Sequence, residues 1–182
     1  MVFVAPNWFT GALIWGAIYI LPFLVILMIV LYGFVMEKFK ITAIGVVLIV
    51  LCIIGSSFIW YETMEAPSVN EKVITVQEWQ PRADIGTNEN GMMVVDSADD
   101  LMLITTDGEC FVNTEHFWFQ KFNTRDPFNQ LKVNGTYKIR YYGWREPFNT
   151  GFPNILSVEE VIDESNTTAQ RYSDYFGVKL VN

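Results

Sequence analysis

The side chains of this 182-residue chain with the clearest chemical potential are its single histidine and a group of carboxylates. His116 has Glu115 beside it. A catalytic triad needs a nucleophile and an orienting acid around the histidine, and a zinc site needs three or four convergent ligands. Since neither pattern surrounds His116, we expect a partly buried polar residue among aromatic rings. The sequence predicts no catalytic residue, no metal and no cofactor.

The carboxylates that could act together lie in a short stretch of the chain, at Asp96, Asp99, Asp100, Asp107 and Glu109. Gathered round one loop, their oxygens could hold Ca²⁺. The ligand spacing of an EF-hand is absent, however. We therefore favour a solvated acidic rim over a calcium site.

Aromatic side chains make up 15% of the chain and provide the candidates for partner binding. Most should fill the core of a small domain. Aromatic residues and arginine also dominate the binding energy of protein interfaces. On this basis the possible partner-binding residues are Trp118, Trp144, Arg145, Tyr175 and Phe176. The last two lie in a polar tail, 163–182, for which docking on a neighbour and a frayed end are both open.

Two apolar runs at the start of the chain must position everything that follows. They cover about 12–35 and 41–60, and no charged residue lies between Met1 and Met36. Each run has the roughly 20 residues that a helix needs to cross a bilayer, where the backbone must satisfy its own hydrogen bonds. Residues 1–61 are therefore predicted to form a transmembrane helical hairpin in the lipid bilayer. The alternative, a pair of buried core helices, would be hard to accommodate in a chain of this size.

The loop between the two runs predicts the orientation. It spans 36–40 and carries Lys38 and Lys40, which the positive-inside rule places in the cytoplasm. The C-terminal domain then lies on the periplasmic or extracellular side of the inner or plasma membrane. Neither run contains an ionisable group, which favours an anchor over an ion or substrate pathway. Pro22, in the first run, predicts a bend.

The charge of the chain is unevenly divided. Residues 1–61 contain Glu37, Lys38 and Lys40 and have a net charge of +1. Since the whole chain has a net charge of −8, residues 62–182 have a net charge of −9. An acidic domain is a poor partner for a nucleic-acid backbone, and none is predicted. Cys52 and Cys110 are too few and too separated for a disulfide framework or a zinc pattern.

The remainder is predicted to be mainly β, with a linker at 62–70 and a domain at 71–162. Strands are expected at 73–79, 92–95, 101–106, 109–113, 136–142 and 154–162. Asp107-Gly108 predicts a type I′ hairpin turn. Asp126-Pro127 predicts an N-cap and first helical residue, starting one helical turn through Gln130. The aromatic stretch 114–122 fits a short helix or an irregular apolar cover.

This order of about five or six strands, with a short helix between 109–113 and 136–142, indicates a small OB-like Greek-key barrel. A small β-sandwich is the alternative.

One stretch of the domain, about Glu109–Val158, resembles a family whose activity is not characterised. The matching positions are Asn113, Thr114, Lys121, Phe122, Asn123, Asp126, Phe128, Leu131, Gly135, Thr136, Tyr137, Gly143, Trp144, Arg145, Pro153, Asn154 and Ile155. The family consists of small membrane-anchored proteins of bacteria and phages. The resemblance implies N-terminal membrane helices and an extracytoplasmic OB-like domain. The matched glycines, caps and turns are scaffold residues by their chemistry.

These features predict a non-enzymatic integral membrane protein. We expect an accessory or assembly subunit whose outer β domain contacts other membrane-protein subunits. One alternative is a membrane-anchored ligand-binding or sensing module with an OB-like groove. Another, from the resemblance alone, is a phage-type protein that modifies the host envelope.

Overall fold

A computed structural model of the chain describes residues 3–81, 99, 101–145 and 151–168. The chain forms two compact units, Met1–Ser68 and Val69–Asn182. The first contains two long apolar helices and the second a five-stranded mixed sheet. The predicted order, a helical pair followed by a β domain, is confirmed at this level.

The first helix runs from Trp8 to Val35 and the second from Phe39 to Ser68. Both are long and apolar enough to cross a membrane. In their most apolar stretches only 6% and 11% of the residues are buried, so these helices do not form the core of a soluble domain. Their apolar side chains face outward, as they must if the surrounding solvent is lipid.

Both helices are longer than the sequence indicated. The first begins four residues before 12 and contains a π-helical segment, Gly16–Ile20, immediately before the turn with Pro22. The second continues past Trp60 through a π turn, Tyr61–Glu65, and a 3₁₀ turn, Ala66–Ser68. The stretch predicted as a linker, 62–70, is therefore helical as far as Ser68. Pro67 is tolerated there because the helix is already ending in its last turn.

Two glycines let the helices approach closely, one from each helix. A Cβ atom on Gly45 would lie 2.5 Å from Val30 Cγ2, and one on Gly33 would lie 2.8 Å from the Thr42 backbone nitrogen. Small residues at such contacts are typical of membrane helix pairs. Gly55, by contrast, faces open space.

The described part of the β domain contains five strands and one short helix. The strands are β1 (Asn70–Pro81), β2 (Leu101–Thr105), β3 (Cys110–Val112), β4 (Thr136–Tyr142) and β5 (Asn154–Asp163), and the helix is Arg125–Gln130. The order in the sheet is β1-β2-β3-β5-β4, and β4 also pairs with β1, so the sheet closes on itself. Among the described strand pairs, only that of β3 with β5 is parallel. The strand expected at 92–95 lies outside the described residues.

Closure depends on a strongly irregular β5. The ten residues of β5 face the seven of β4, with register shifts at three points. Each extra residue bends the strand and increases its twist. A five-stranded sheet needs such bending to bring its first and fourth strands together.

The core lies inside this closed sheet. Its side chains come from alternate positions of the strands, as in Leu101, Leu103 and Thr105 of β2. The short helix closes one end: the Trp79 ring packs on Phe128 at 5.1 Å between centroids, and its indole N–H donates to the Leu131 carbonyl at 3.0 Å.

Two local predictions need correction. The hairpin between β2 and β3 is present, but its turn is not type I′, because only Gly108 has positive φ (+84°) and Asp107 does not. The Gly108 N–H donates to the Thr105 carbonyl, which fits a type I turn followed by a left-handed glycine.

The short helix starts at Arg125, so the assignment of Asp126 as its N-cap is wrong. Asn123 supplies the capping group instead: its side-chain oxygen accepts from the N–H groups of Arg125 and Asp126 at 3.0 and 3.3 Å. An asparagine oxygen satisfies free N–H groups at a helix start as well as a carboxylate does.

Candidate functional site: the loop around Lys121

The loop between β3 and the short helix, residues 114–124, is rich in aromatic side chains and is named here the aromatic loop. It is irregular, the second of the two predicted possibilities. His116 and Lys121 exchange backbone hydrogen bonds of 2.8 and 3.0 Å, and Gln120 between them has φ of +54°. This narrow turn directs the Lys121 side chain into the domain.

Lys121 is buried, with only 7% of its surface exposed. Its Nζ donates to Asn113 Oδ1 at 2.9 Å, Asn154 Oδ1 at 3.1 Å and the Ile155 carbonyl at 2.5 Å. An ammonium group has three protons to donate, and these acceptors use all of them. The lysine therefore joins the loop to the end of β3 and the start of β5.

Asn154 is the second centre of this network. Its amide nitrogen donates to the carbonyl and hydroxyl of Thr114 and to the Tyr142 hydroxyl, at 3.1, 2.7 and 3.1 Å. Its oxygen also accepts from the Thr114 N–H at 3.1 Å. Asn154 lies opposite Val112 in the single pairing of β3 with β5. The network thus strengthens the junction where the sheet has fewest backbone hydrogen bonds.

Burial lowers the pKa of Lys121 to about 8, while the negative charges of Asp99 and Glu115 act in the opposite direction. A buried lysine with a lowered pKa can serve as a nucleophile. Here the hydrogen-bond geometry favours a structural role, because every proton is engaged and the amine is covered. In the sequence, Lys121 is notable only as a position that matches the family pattern. Its neighbours Phe119 and Phe122 are the one local indication that it is buried.

The aromatic loop has an inner and an outer side. On the inner side Phe119 and His116 pack on Tyr142, with ring centroids 4.5 and 5.1 Å away. His116 is half-buried, so the expectation of a polar residue among aromatic rings is confirmed. These contacts hold the aromatic loop in one position against β4.

The outer side presents a cluster of rings, Phe117, Trp118 and Phe122, named here the aromatic surface. Phe117 is 68% exposed and Phe122 59% exposed. The Phe117 ring meets Trp118 edge-on at 5.1 Å and Phe122 at 6.3 Å. Two exposed rings beside a half-buried tryptophan, held by a well-fixed loop, are typical of an interaction site.

The other predicted binding residues are placed as follows. Trp118 belongs to the aromatic surface. Trp144 and Arg145 follow β4, where Trp144 is half-buried and the Arg145 guanidinium lies 3.9 Å from the Phe152 ring centroid. Arg145 therefore stacks on an aromatic ring. Tyr175 and Phe176 lie outside the described residues.

The acidic rim is only partly described. Lys72 Nζ lies 3.0 Å from an Asp107 oxygen and 2.6 Å from a Glu109 oxygen. Hydrogen bonds from the Thr105 hydroxyl and from Lys72 lower the pKa of Asp107. In the described ranges no three His, Cys, Asp or Glu side chains converge as metal ligands. Asp96 and Asp100 fall outside those ranges.

Comparisons of the chain with protein-family models, curated proteins and solved structures found no match. The family resemblance of the Glu109–Val158 region therefore stays a prediction. Any functional argument must come from the residues of this chain.

Proposed function

We propose that the chain is an integral membrane accessory subunit. Its two helices anchor it in the bilayer, and its β domain, an OB-type barrel, binds another membrane-protein subunit through the aromatic surface. The main supporting observation is that Phe117 and Phe122 are exposed beside the half-buried Trp118, on a loop that the buried Lys121 holds in place.

Membrane insertion is supported by the outward-facing apolar side chains of both helices. A helix in water buries its apolar stripe against a core, whereas a helix in lipid exposes it. The loop with Lys38 and Lys40 favours a cytoplasmic hairpin turn and a β domain on the outer side. With uncharged spans, the hairpin serves as an anchor rather than a conduit.

The OB-type assignment is supported by three features of the sheet. The strand order is β1-β2-β3-β5-β4, β3 pairs in parallel with β5, and the short helix stands between β3 and β4. These are features of the five-stranded Greek-key barrel. The buried bonding of Lys121 supports a protein contact over a catalytic use of this loop.

A rigid aromatic loop favours protein binding because its side chains lose little freedom on association. Phenylalanine and tryptophan have few rotatable bonds, and their burial in a partner's pocket is strongly favourable. The packing of Phe119 and His116 on Tyr142 fixes the loop before any partner arrives. Preorganisation of this kind raises affinity without further contacts.

The test compares the full chain with Phe117→Ser/Phe122→Ser in a mild detergent extract of native membranes. The wild type should co-purify with a second membrane protein, and the variant should lose it while keeping its melting temperature. Val73→Ser is the matched control, because Val73 is an exposed apolar residue on β1. A wild type that purifies alone, or an equal loss with Val73→Ser, would contradict the proposal.

A further inference from the structure

The contacts within the helical hairpin show which residues of the two helices lie at the same height. The Ser56 hydroxyl of the second helix donates to the Ile18 carbonyl of the first at 2.7 Å. Nearer the turn, Gly45 faces Val30 and Thr42 faces Gly33. The three contacts are consistent with one antiparallel register along the whole hairpin.

This register places charged residues of the second helix beside uncharged residues of the first. An α-helix rises about 1.5 Å per residue, so Glu62 lies about 9 Å beyond Ser56 along the second helix. The same rise measured back from Ile18 reaches Ala12. By the same counting, Glu65 is level with Phe9.

The carboxylates mark where the hydrocarbon layer ends, because ionised side chains are costly inside it. Between Lys40 and Glu62 the second helix contains only uncharged residues, 41–61. At about 1.5 Å per residue this stretch covers about 31 Å, close to the thickness of a hydrocarbon core. The segment Phe3–Ala12 must then lie beyond that layer, although it carries no charge.

The exposed side chains of Phe3–Ala12 are suited to the boundary between acyl chains and headgroups. Val4 is 83% exposed, and Trp8 and Phe9 are each 58% exposed. The Trp8 and Phe9 rings meet edge-on with centroids 5.7 Å apart. The Asn7 side chain accepts the Thr10 N–H at 2.9 Å and starts the helix here, so its first turn is ordered. Tryptophan and phenylalanine on an ordered turn suit the interfacial layer, where apolar rings meet polar groups.

We propose that Phe3–Ala12 is an interfacial anchor that inserts Val4, Trp8 and Phe9 into the headgroup boundary of the same bilayer. The proposal rests on the membrane insertion proposed above. The anchor fixes the depth of the hairpin, so the first helix does not slide its whole length into the hydrocarbon. Helices bend most readily at π segments and at proline, and the first helix has both, at Gly16–Ile20 and at Pro22. A bend there lets Phe3–Ala12 turn toward the membrane plane.

The experiment measures the depth of nitroxide labels on the full chain in lipid vesicles. Single cysteines replace Val4 or Phe9 in a Cys52→Ala/Cys110→Ala background, with Leu48→Cys as the hydrocarbon reference and Asn166→Cys as the aqueous reference. The spectra compare accessibility to oxygen, which concentrates in lipid, and to a water-soluble nickel chelate. For labels at 4 and 9, the accessibility to oxygen and the accessibility to the chelate should each lie between the values measured at 48 and at 166.

Two results would overturn the anchor. Chelate accessibility at 4 and 9 equal to that at 166 would place the segment in water. Protection from both reagents would mean that protein, not lipid, covers it. If the label at 48 is not accessible to oxygen, membrane insertion itself fails, so the two proposals fail in different ways. Val4 lies before the helix, so its substitution tests the idea even if Phe9→Cys is unstable.

Discussion

Ser56 of the second helix donates its hydroxyl proton to the carbonyl of Ile18 in the first helix, at 2.7 Å. Ile18 lies four residues before Pro22, which has no N–H to offer that carbonyl. In lipid no water can replace the missing donor, and serine side chains from neighbouring helices are a known remedy. The carbonyl that Pro22 leaves without an N–H donor thus has a specific hydrogen-bond partner on the opposite helix.

Replacing Ser56 should therefore weaken the hairpin, and the effect should depend on Pro22. Ser56→Ala should cost about 1 kcal/mol, the scale of hydrogen bonds between membrane helices. In Pro22→Ala the restored N–H can bond to Ile18, so the same serine change should cost clearly less. Unfolding of the full chain in mixed detergent micelles, followed by circular dichroism, gives the four values of the double-mutant cycle. Equal costs in both backgrounds would mean that Ser56 does not compensate for the proline.

A second prediction concerns the close helix contact at Gly45. Gly45→Ala should destabilise the hairpin by about 1–3 kcal/mol, because the new methyl group would meet Val30 at a distance no side chain adopts. Gly55→Ala on the same helix is the matched control, since its new methyl group meets nothing within 4 Å. The same micelle titration measures both. Similar values for the two variants would show that the helices do not pack in this register.

The Lys121 network predicts a large effect from a single buried substitution. Lys121→Met should lower the free energy of unfolding of the domain by about 2–4 kcal/mol, because Asn113 Oδ1, Asn154 Oδ1 and the Ile155 carbonyl each lose one buried donor. Tryptophan fluorescence during urea unfolding of the full chain in detergent reports this. Lys138→Met is the control: Lys138 pairs with Glu71 at the surface, where solvent screens the pair and its loss should change stability little. Comparable losses of stability in the two variants would show that the buried Lys121 network does not stabilise the domain.

The lowered pKa of Lys121 predicts how stability changes with pH. The ordinary lysine pKa is 10.5 and the folded value about 8, so above pH 8 the unfolded chain holds more protons at this site than the folded chain. Stability contributed by Lys121 therefore increases with pH from 8 to 10.5 and is lost as pH falls through 8. Between pH 8 and 9.5 the gain should be about 2 kcal/mol.

The measurement compares wild type with Lys121→Met by urea unfolding from pH 7.5 to 9.5. Ending at pH 9.5 avoids the Tyr137 hydroxyl, whose pKa burial raises to about 12 and whose contribution has the opposite sign above pH 10. The difference between the two proteins should widen with increasing pH. Parallel curves would show that Lys121 titrates as it does in water.

The sequence predicted the helical pair and most of the strands because both depend on local patterns. An uncharged run of about 20 residues has few alternatives to a helix, and alternation in Thr136–Tyr142 predicts β4 with its exact bounds. The continuation of the second helix to Ser68 was missed because Glu62, Pro67 and Ser68 are typical of loops. The helix accommodates these three residues because its geometry changes from α to π at Tyr61 and then to 3₁₀ at Ala66.

The candidate site was predictable only in part for a related reason. Trp118 and Arg145 could be named from their residue types, because aromatic residues and arginine dominate the binding energy of protein interfaces. The bonding of Lys121 to Asn154, however, joins residues 33 positions apart, which no local pattern records. The roles of Asn154 and Tyr142 appear only once β3 and β5 meet. The ligand-binding and envelope-modifying alternatives stay predictions.

The central claim is that the hairpin crosses the bilayer and holds the β domain on the side opposite to its turn. It is tested most directly by impermeant maleimide labelling of Lys38→Cys and Asn166→Cys, each in a Cys52→Ala/Cys110→Ala background, in sealed inside-out membrane vesicles. The account predicts that the cysteine at 38 reacts at once and that at 166 only after detergent is added. Reaction of both before detergent would contradict it.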